Sequence, residues 1–213
     1  MKKLLLLLAF LFYSTSGFAQ QKAVTEKGDE VLLYENGTWE YAEPEALTEE
    51  ENVVIPTNPT PFTKDEKSSF LLKSDRVHLG FWINPKVWKF EKAKNNEEAE
   101  YELTLKSGDL YGMIITEKIE IPLETLKNIA VMNGQAVSPD LKVVKEEFRN
   151  VNGLRVLMLQ MNGTVSGIKI SYYGYYYSDE NGTTQFITYT AQNLLKEYQK
   201  TCDTLLNGLV LQK

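Results

Sequence analysis

The chain is predicted to build an α+β domain, an antiparallel β-sheet flanked by helices in an α/β/α sandwich, on three observations. Segments of alternating or β-rich character recur through the C-terminal two thirds, with Asn-Gly pairs in the gaps. Two other segments carry apolar residues at helical spacing. With 1 cysteine, Cys202, the chain can form no internal disulfide, so its stability rests on a packed core. Residues 64–213 are numerous enough to enclose one.

Taken in order, Val77, Leu79, Phe81 and Ile83 alternate with Arg76, His78, Gly80 and Trp82, a strand with one strongly apolar face. Trp88–Phe90 and Tyr101–Leu105 read as short strands and Leu110–Ile119 as a longer one. Pro122 then opens a helix with Leu123, Leu126, Ile129 and Ala130 inward, and Asn133-Gly134 is expected to close it. Four more strands follow, near Lys142–Phe148, Leu154–Met161, Ile168–Tyr177 and Thr184–Tyr189. Asn152-Gly153, Asn162-Gly163 and Asn181-Gly182 are expected as turns, because hairpins need residues that tolerate positive φ. Ala191–Leu206 is an amphipathic helix with Leu194, Leu195, Tyr198, Cys202, Leu205 and Leu206 on one face, stopped by Asn207-Gly208.

Three stretches precede this domain. Residues 1–19 have the form of a cleavable signal peptide: Lys2 and Lys3, an apolar run of about nine residues, then Gly17 and Ala19 at a small-residue cleavage site. That run is well short of the roughly 20 residues that span a bilayer. An exported, periplasmic or secreted chain starting at Gln20 is therefore expected, with no transmembrane segment. No cysteine lies near the junction to carry a lipid anchor. Residues 20–42 read as a small β-meander, with turns at Gly28-Asp29 and Asn36-Gly37 and strands near Val31–Tyr34 and Thr38–Tyr41. Residues 43–63 carry Glu43, Glu45, Glu49, Glu50 and Glu51, then Pro56, Pro59 and Pro61, the composition of an extended acidic linker.

The formal net charge of −6 becomes −8 once Lys2 and Lys3 leave with the signal. Such a balance opposes nucleic-acid binding, which requires clustered Lys and Arg. Catalytic chemistry has few candidates. His78, the single histidine, lies on the polar side of its strand, and Cys202 lies on an apolar helical stripe, where a thiol behaves as a small hydrophobe. One His and one Cys this far apart do not make a zinc site, and no cofactor motif occurs. Glu97-Glu98, Glu146-Glu147 and Asp179-Glu180 read as solvated charges rather than a hydrolase carboxylate pair.

One constellation stands out, Tyr172-Tyr173-Gly174-Tyr175-Tyr176-Tyr177. On a strand, Tyr173, Tyr175 and Tyr177 share one face, and Tyr172 and Tyr176 the other. Core packing in a sheet covered on both sides accounts for such a run. The alternative is a platform for a sugar ring, a small ligand or a partner protein, with Trp82 and Trp88 lining the same surface. Gly174 leaves either a groove or a close backbone approach.

Two resemblances follow. The segment Gly28–Tyr41, with its G-x-x-V-x-L strand and N-G-T-W-x-Y, resembles a short "GTW" β-meander near the mature N-terminus of other secreted bacterial proteins. Over about residues 68–213, "GFWINPKVWKF", the helix that follows, and "YYSDENGTTQFITYT" leading into the last helix resemble the PsbP-like and Mog-like superfamily of α/β/α sandwiches. That resemblance implies a non-enzymatic protein that binds an unknown protein partner or assists assembly in the cell envelope.

Overall fold

The computed structural model describes residues 21–25, 30–34, 36–41, 54–94 and 96–212. The signal peptide, the Gly28-Asp29 turn and most of the acidic linker lie outside them. In chain order the strands are β1 (Gln21–Val24), β2 (Glu30–Leu33), β3 (Trp39–Tyr41), β4 (Thr57–Phe62), β5 (Phe70–Lys73), β6 (Leu79–Ile83), β7 (Trp88–Lys92), β8 (Ala99–Leu105) and β9 (Tyr111–Glu117). Helix α1 (Leu123–Val137) precedes β10 (Lys142–Val151), β11 (Leu154–Val165), β12 (Ile168–Asp179) and β13 (Gly182–Ala191). Helix α2 (Leu195–Leu206) and β14 (Leu209–Leu211) complete it.

The organising element is an eight-stranded sheet in the order β4-β10-β11-β12-β13-β9-β8-β7. Because strand side chains alternate, neighbours in sequence feed opposite faces. Tyr175 and Phe186 belong to a core with Phe81, Ile83, Trp88, Cys202, Leu205 and Leu206. Tyr176 and Ile187, one residue along, belong to a second core with Leu126, Ala130, Leu157 and Leu159. Helix α1 thus covers one face, while α2 and the small sheet β14-β6-β5 cover the other.

Several boundaries differ from the sequence expectation. Thr57–Phe62, expected as the end of the linker, is a strand, so the domain begins before residue 64. It pairs parallel with β10, an exception to the antiparallel sheet. Pro59 and Pro61 have no N–H to give a second neighbour, which confines β4 to an edge. Its carbonyls still accept, Pro56 O from Phe148 N at 2.8 Å and Phe62 O from Asn152 N at 2.9 Å. Phe70–Lys73 and Leu209–Leu211 are further strands, and their pairing with β6 makes the small sheet.

Asn133-Gly134 does not end α1, which runs on to Val137. A Cβ on Gly134 would stand 2.9 Å from Leu141 Cδ1, so this glycine gives room for packing rather than a stop. Asn162-Gly163 is likewise inside β11, and the β11–β12 turn is Ser166-Gly167, with φ of 50° and 80°. Asn152-Gly153, with φ of 51° and 89°, is the expected type of two-residue hairpin turn. Gly163 lies against the loop after α1, where a Cβ would meet Ser138 Oγ at 2.2 Å and Leu141 Cα at 3.1 Å. Gly163→Ala is therefore expected to lower unfolding free energy by about 1–3 kcal/mol, the usual cost of overpacking, in a urea titration.

Candidate functional site

The tyrosine strand resolves into two environments. On the α2 face, Tyr173 and Tyr175 are buried around Arg149, itself 5% exposed. Arg149 Nε donates to Glu147 Oε1 at 2.6 Å, and Nη1 donates to Tyr175 Oη at 2.9 Å and Asp203 Oδ1 at 3.0 Å. Tyr173 Oη donates to the same Asp203 oxygen at 2.7 Å, and Tyr175 Oη to Asn207 Oδ1 at 2.8 Å. The guanidinium plane is flanked by Phe62, Tyr175 and Tyr173, with centroids 4.5, 5.6 and 5.8 Å away. Four elements, β4, β10, β12 and α2, therefore meet on one cation.

Electrostatics follow this geometry. Burial works to lower the Arg149 pKa, but Tyr175, Tyr173 and Glu147 hold it above its ordinary value. Burial raises Glu147, yet the hydrogen bonds from Arg149 and Asn58 outweigh it and leave the carboxyl below its ordinary 4.5. Burial also pushes the Tyr175 phenol up to about 12, and burial together with Asp203 pushes Tyr173 higher still. Glu147, expected as a solvated charge, is a half-buried ion-pair partner of the buried Arg149, and Glu146 pairs with Lys127 at 2.6 Å. The register places both near the sheet's first strands, where α1 and β4 cover them.

Tyr176 lies fully buried in the α1 core and Trp88 in the α2 core. Trp82, on the outer side of the small sheet, is half-buried under Lys64 Nζ, 5.0 Å from its ring centroid. The two tryptophans do not share a surface, because Trp82 is out of phase with the inward Phe81 and Ile83. Tyr177 is half-buried and donates to Asp179. Gly174 leaves no groove: a Cβ there would stand 2.8 Å from Phe186 O, so it permits a close approach of β13. Tyr172 is likewise half-buried, ring to ring with Tyr189 at 6.0 Å, which in turn stacks on Tyr111 at 5.5 Å. Sequence reasoning missed Tyr189 and Tyr111 because they come from other strands.

A second surface lies on the outer side of α1. Ala23 and Val24 of β1 face Ile129, Val131 and Met132 of α1 and Val143 of β10 across a mostly apolar cavity of about 580 Å3. Met132 remains 37% exposed. In the same three-stranded sheet as β1, β3 presents Trp39 and Tyr41, 55% and 59% exposed, as an edge-to-face pair with centroids 5.5 Å apart. Alternation puts both rings on one side of the strand.

Neither a protein-family model nor a curated protein matches the sequence. Solved structures do. Cyanobacterial PsbP (CyanoP) from Synechocystis sp. PCC 6803 aligns over 67% of this chain and 91% of its own, with a TM-score of 0.51 at 12% identity. The fold is PsbP-like. A protein of unknown function from Pseudomonas aeruginosa, PA94, aligns over 68% of this chain and 97% of its own, with a TM-score of 0.43 and 11% identity. LpqN, involved in cell envelope biogenesis of Mycobacterium tuberculosis, aligns over 63% and 83%, with a TM-score of 0.43 and 7% identity. The PsbP-like alignment spans about two thirds of the chain, and at 12% identity it carries the fold alone.

Removing one partner of a buried, hydrogen-bonded ion pair costs about 3–5 kcal/mol, so Arg149→Ala is expected to lose that much in equilibrium unfolding. The pH dependence has a definite direction. A carboxyl whose folded pKa is depressed stabilises the protein above its unfolded pKa and loses that contribution as pH falls through the folded value. Thermal melts of the wild type should therefore decline as pH drops below 4.5, and Glu147→Gln should show a shallower acid decline from a lower starting Tm. Cys202 is fully buried, and burial raises its thiol to about 11. A thiol-reactive disulfide reagent should leave it unmodified at neutral pH until denaturant is added.

Proposed function

We propose that this chain is an exported, non-enzymatic protein that docks a protein partner in the bacterial cell envelope, with the N-terminal meander and the outer side of α1 as its docking face. The observation that carries this reading is the apolar cavity between β1 and α1 whose wall includes the exposed Met132, together with the exposed Trp39–Tyr41 pair on β3 of the same small sheet. Large aromatics held rigidly on a strand supply contact area at low entropic cost, and such residues dominate binding energy at protein interfaces. The cavity lining is mostly apolar and includes the polar side chains of Lys127, Asn128, Asn133 and Gln135, a mixture found at protein interfaces. Export rests on the form of residues 1–19, which would deliver the chain to the compartment where such a partner is met.

The test is capture from the native envelope with the full mature chain as bait. Wild type should recover a defined partner, and Met132→Asp and the double variant Trp39→Ala/Tyr41→Ala should each lose it by at least about tenfold while keeping the wild-type Tm. Partner recovery that is indifferent to both variants overturns the assignment of this face.

A further inference from the structure

On the α1 side, a single row of paired side chains crosses six strands, from Met161 and Tyr172 at the α1 core out to the open strands β9, β8 and β7. Lys89 of β7 pairs with Thr104 of β8, Thr104 with Tyr111 of β9, Tyr111 with Tyr189 of β13, Tyr189 with Tyr172 of β12, and Tyr172 with Met161 of β11. Paired residues in adjacent antiparallel strands project to the same face, so these six stand side by side at the strand spacing of about 4.8 Å. Tyr172 and Tyr189 are half-buried and brace the last ring, Tyr111, from behind, the Tyr111 and Tyr189 planes being 23° apart. Tyr111 is 38% exposed, and its unbraced side looks across the short side chain of Thr104.

Thr104, the register partner of Tyr111, in turn lines a shallow depression of about 630 Å3 over β7 and β8, together with Lys89, Glu91, Glu102 and Lys106 among others. Two of the charges are engaged: Glu91 accepts from Lys94 Nζ at 2.6 Å, and Lys106 Nζ donates to Pro85 O at 2.7 Å. Three groups have no hydrogen-bond or ion-pair partner among the described residues: the Lys89 ammonium, the Glu102 carboxylate and the Thr104 hydroxyl. Two cations, Lys89 and Lys106, balance two anions, Glu91 and Glu102, in this lining, and with a hydroxyl next to a braced aromatic ring they suit an uncharged ligand that has an apolar face and many hydroxyls. A nucleotide or another anion would leave Glu102 repelled, and a purely apolar chain would leave all three groups unsatisfied.

We infer that the open face of β7, β8 and β9 binds a neutral glycan, with one pyranose ring stacked on Tyr111 above Thr104 and its hydroxyls bridged to Lys89 and Glu102. The C–H face of a pyranose is apolar and packs on an aromatic ring, while its equatorial hydroxyls donate to a carboxylate and accept from an ammonium. Tyrosines held in line by their neighbours need no reordering on binding, which lowers the entropic cost of association. This site is separate from the proposed docking face on α1, and either can fail without the other.

Chitohexaose, cellohexaose and laminarihexaose are the probes, titrated calorimetrically into the full mature chain, with amide shift mapping by NMR. At least one should bind, with the largest shifts at Thr104, Tyr111 and Tyr189. Tyr111→Ala should weaken that binding by at least about tenfold, the loss of one good stacking contact, and Glu102→Gln by a smaller factor at unchanged Tm. If Tyr111→Ala fails to fold, Glu102→Gln and the shift map decide. No binding by any of the three saccharides at about millimolar concentration, shifts centred elsewhere, or tighter binding of an acidic oligogalacturonate overturns the inference. So does self-association in the ultracentrifuge that Tyr111→Ala abolishes, since the occupant would then be a second copy of the chain.

Discussion

Arg149 is the constraint around which the α2 side of this domain is arranged. A guanidinium cannot shed its charge, so burying it obliges the fold to provide acceptors in its plane and apolar or aromatic groups above and below. Glu147 and Asp203 supply the carboxylates, Tyr175 an acceptor hydroxyl, and Phe62 and the two tyrosines the flanking rings. These partners come from the edge strand, the strand beside it, the central strand and the C-terminal helix. Satisfying one charge therefore sets the position of β4 against β10 and of α2 against β12. A buried ion pair contributes little net stability compared with apolar groups of the same shape, but a misplaced one costs heavily. The network acts on specificity of arrangement more than on depth of stability.

The same constraint accounts for the composition of the tyrosine strand. On the α2 face, tyrosine rather than phenylalanine is needed because the ring must fill the core while its hydroxyl reaches a polar group at the far end. Tyr173 and Tyr175 do this with Asp203 and Asn207. On the α1 face the strand changes role along its length. Tyr176 is fully buried beneath α1, Gly174 lets the β13 backbone close in, and Tyr172 emerges past the helix to start the row with Tyr189 and Tyr111. A fifteen-residue helix on an eight-stranded sheet leaves one side of that face uncovered, and the partly exposed tyrosines stand there.

Much of the architecture was legible from short-range signals. Alternation located β6, and β-prone runs between turn signals located β7 to β13 within a few residues; β11 to β13 are buried on both faces, so they show no polar face at period two. Helical spacing located α1 and α2, and positive-φ tolerance identified the Asn152-Gly153 turn; the Asn181-Gly182 expectation falls on the β12–β13 hairpin, but its loop residues are Glu180 and Asn181, and Gly182 already pairs with Asp179. The errors have a common origin. Pro59 and Pro61 looked like linker because an edge strand that only accepts hydrogen bonds has no sequence signature distinct from extended coil. Gly134 and Gly163 looked like stops because a glycine required by a neighbouring side chain cannot be told from one required by its own φ. Glu147 looked solvated because its partner's burial depends on a helix more than fifty residues away in sequence.

Residue order alone determined the periodicity of each element, the parity of the tyrosines and the inert character of Cys202, since these depend on neighbours a few residues apart. Only the tertiary structure decided which tyrosine faces fall inside a core, that Trp82 and Trp88 part company, and that Lys89, Thr104, Tyr111, Tyr189 and Tyr172 stand in one row. Each of those depends on strand register, and register is set by pairing between segments whose contact no local pattern encodes.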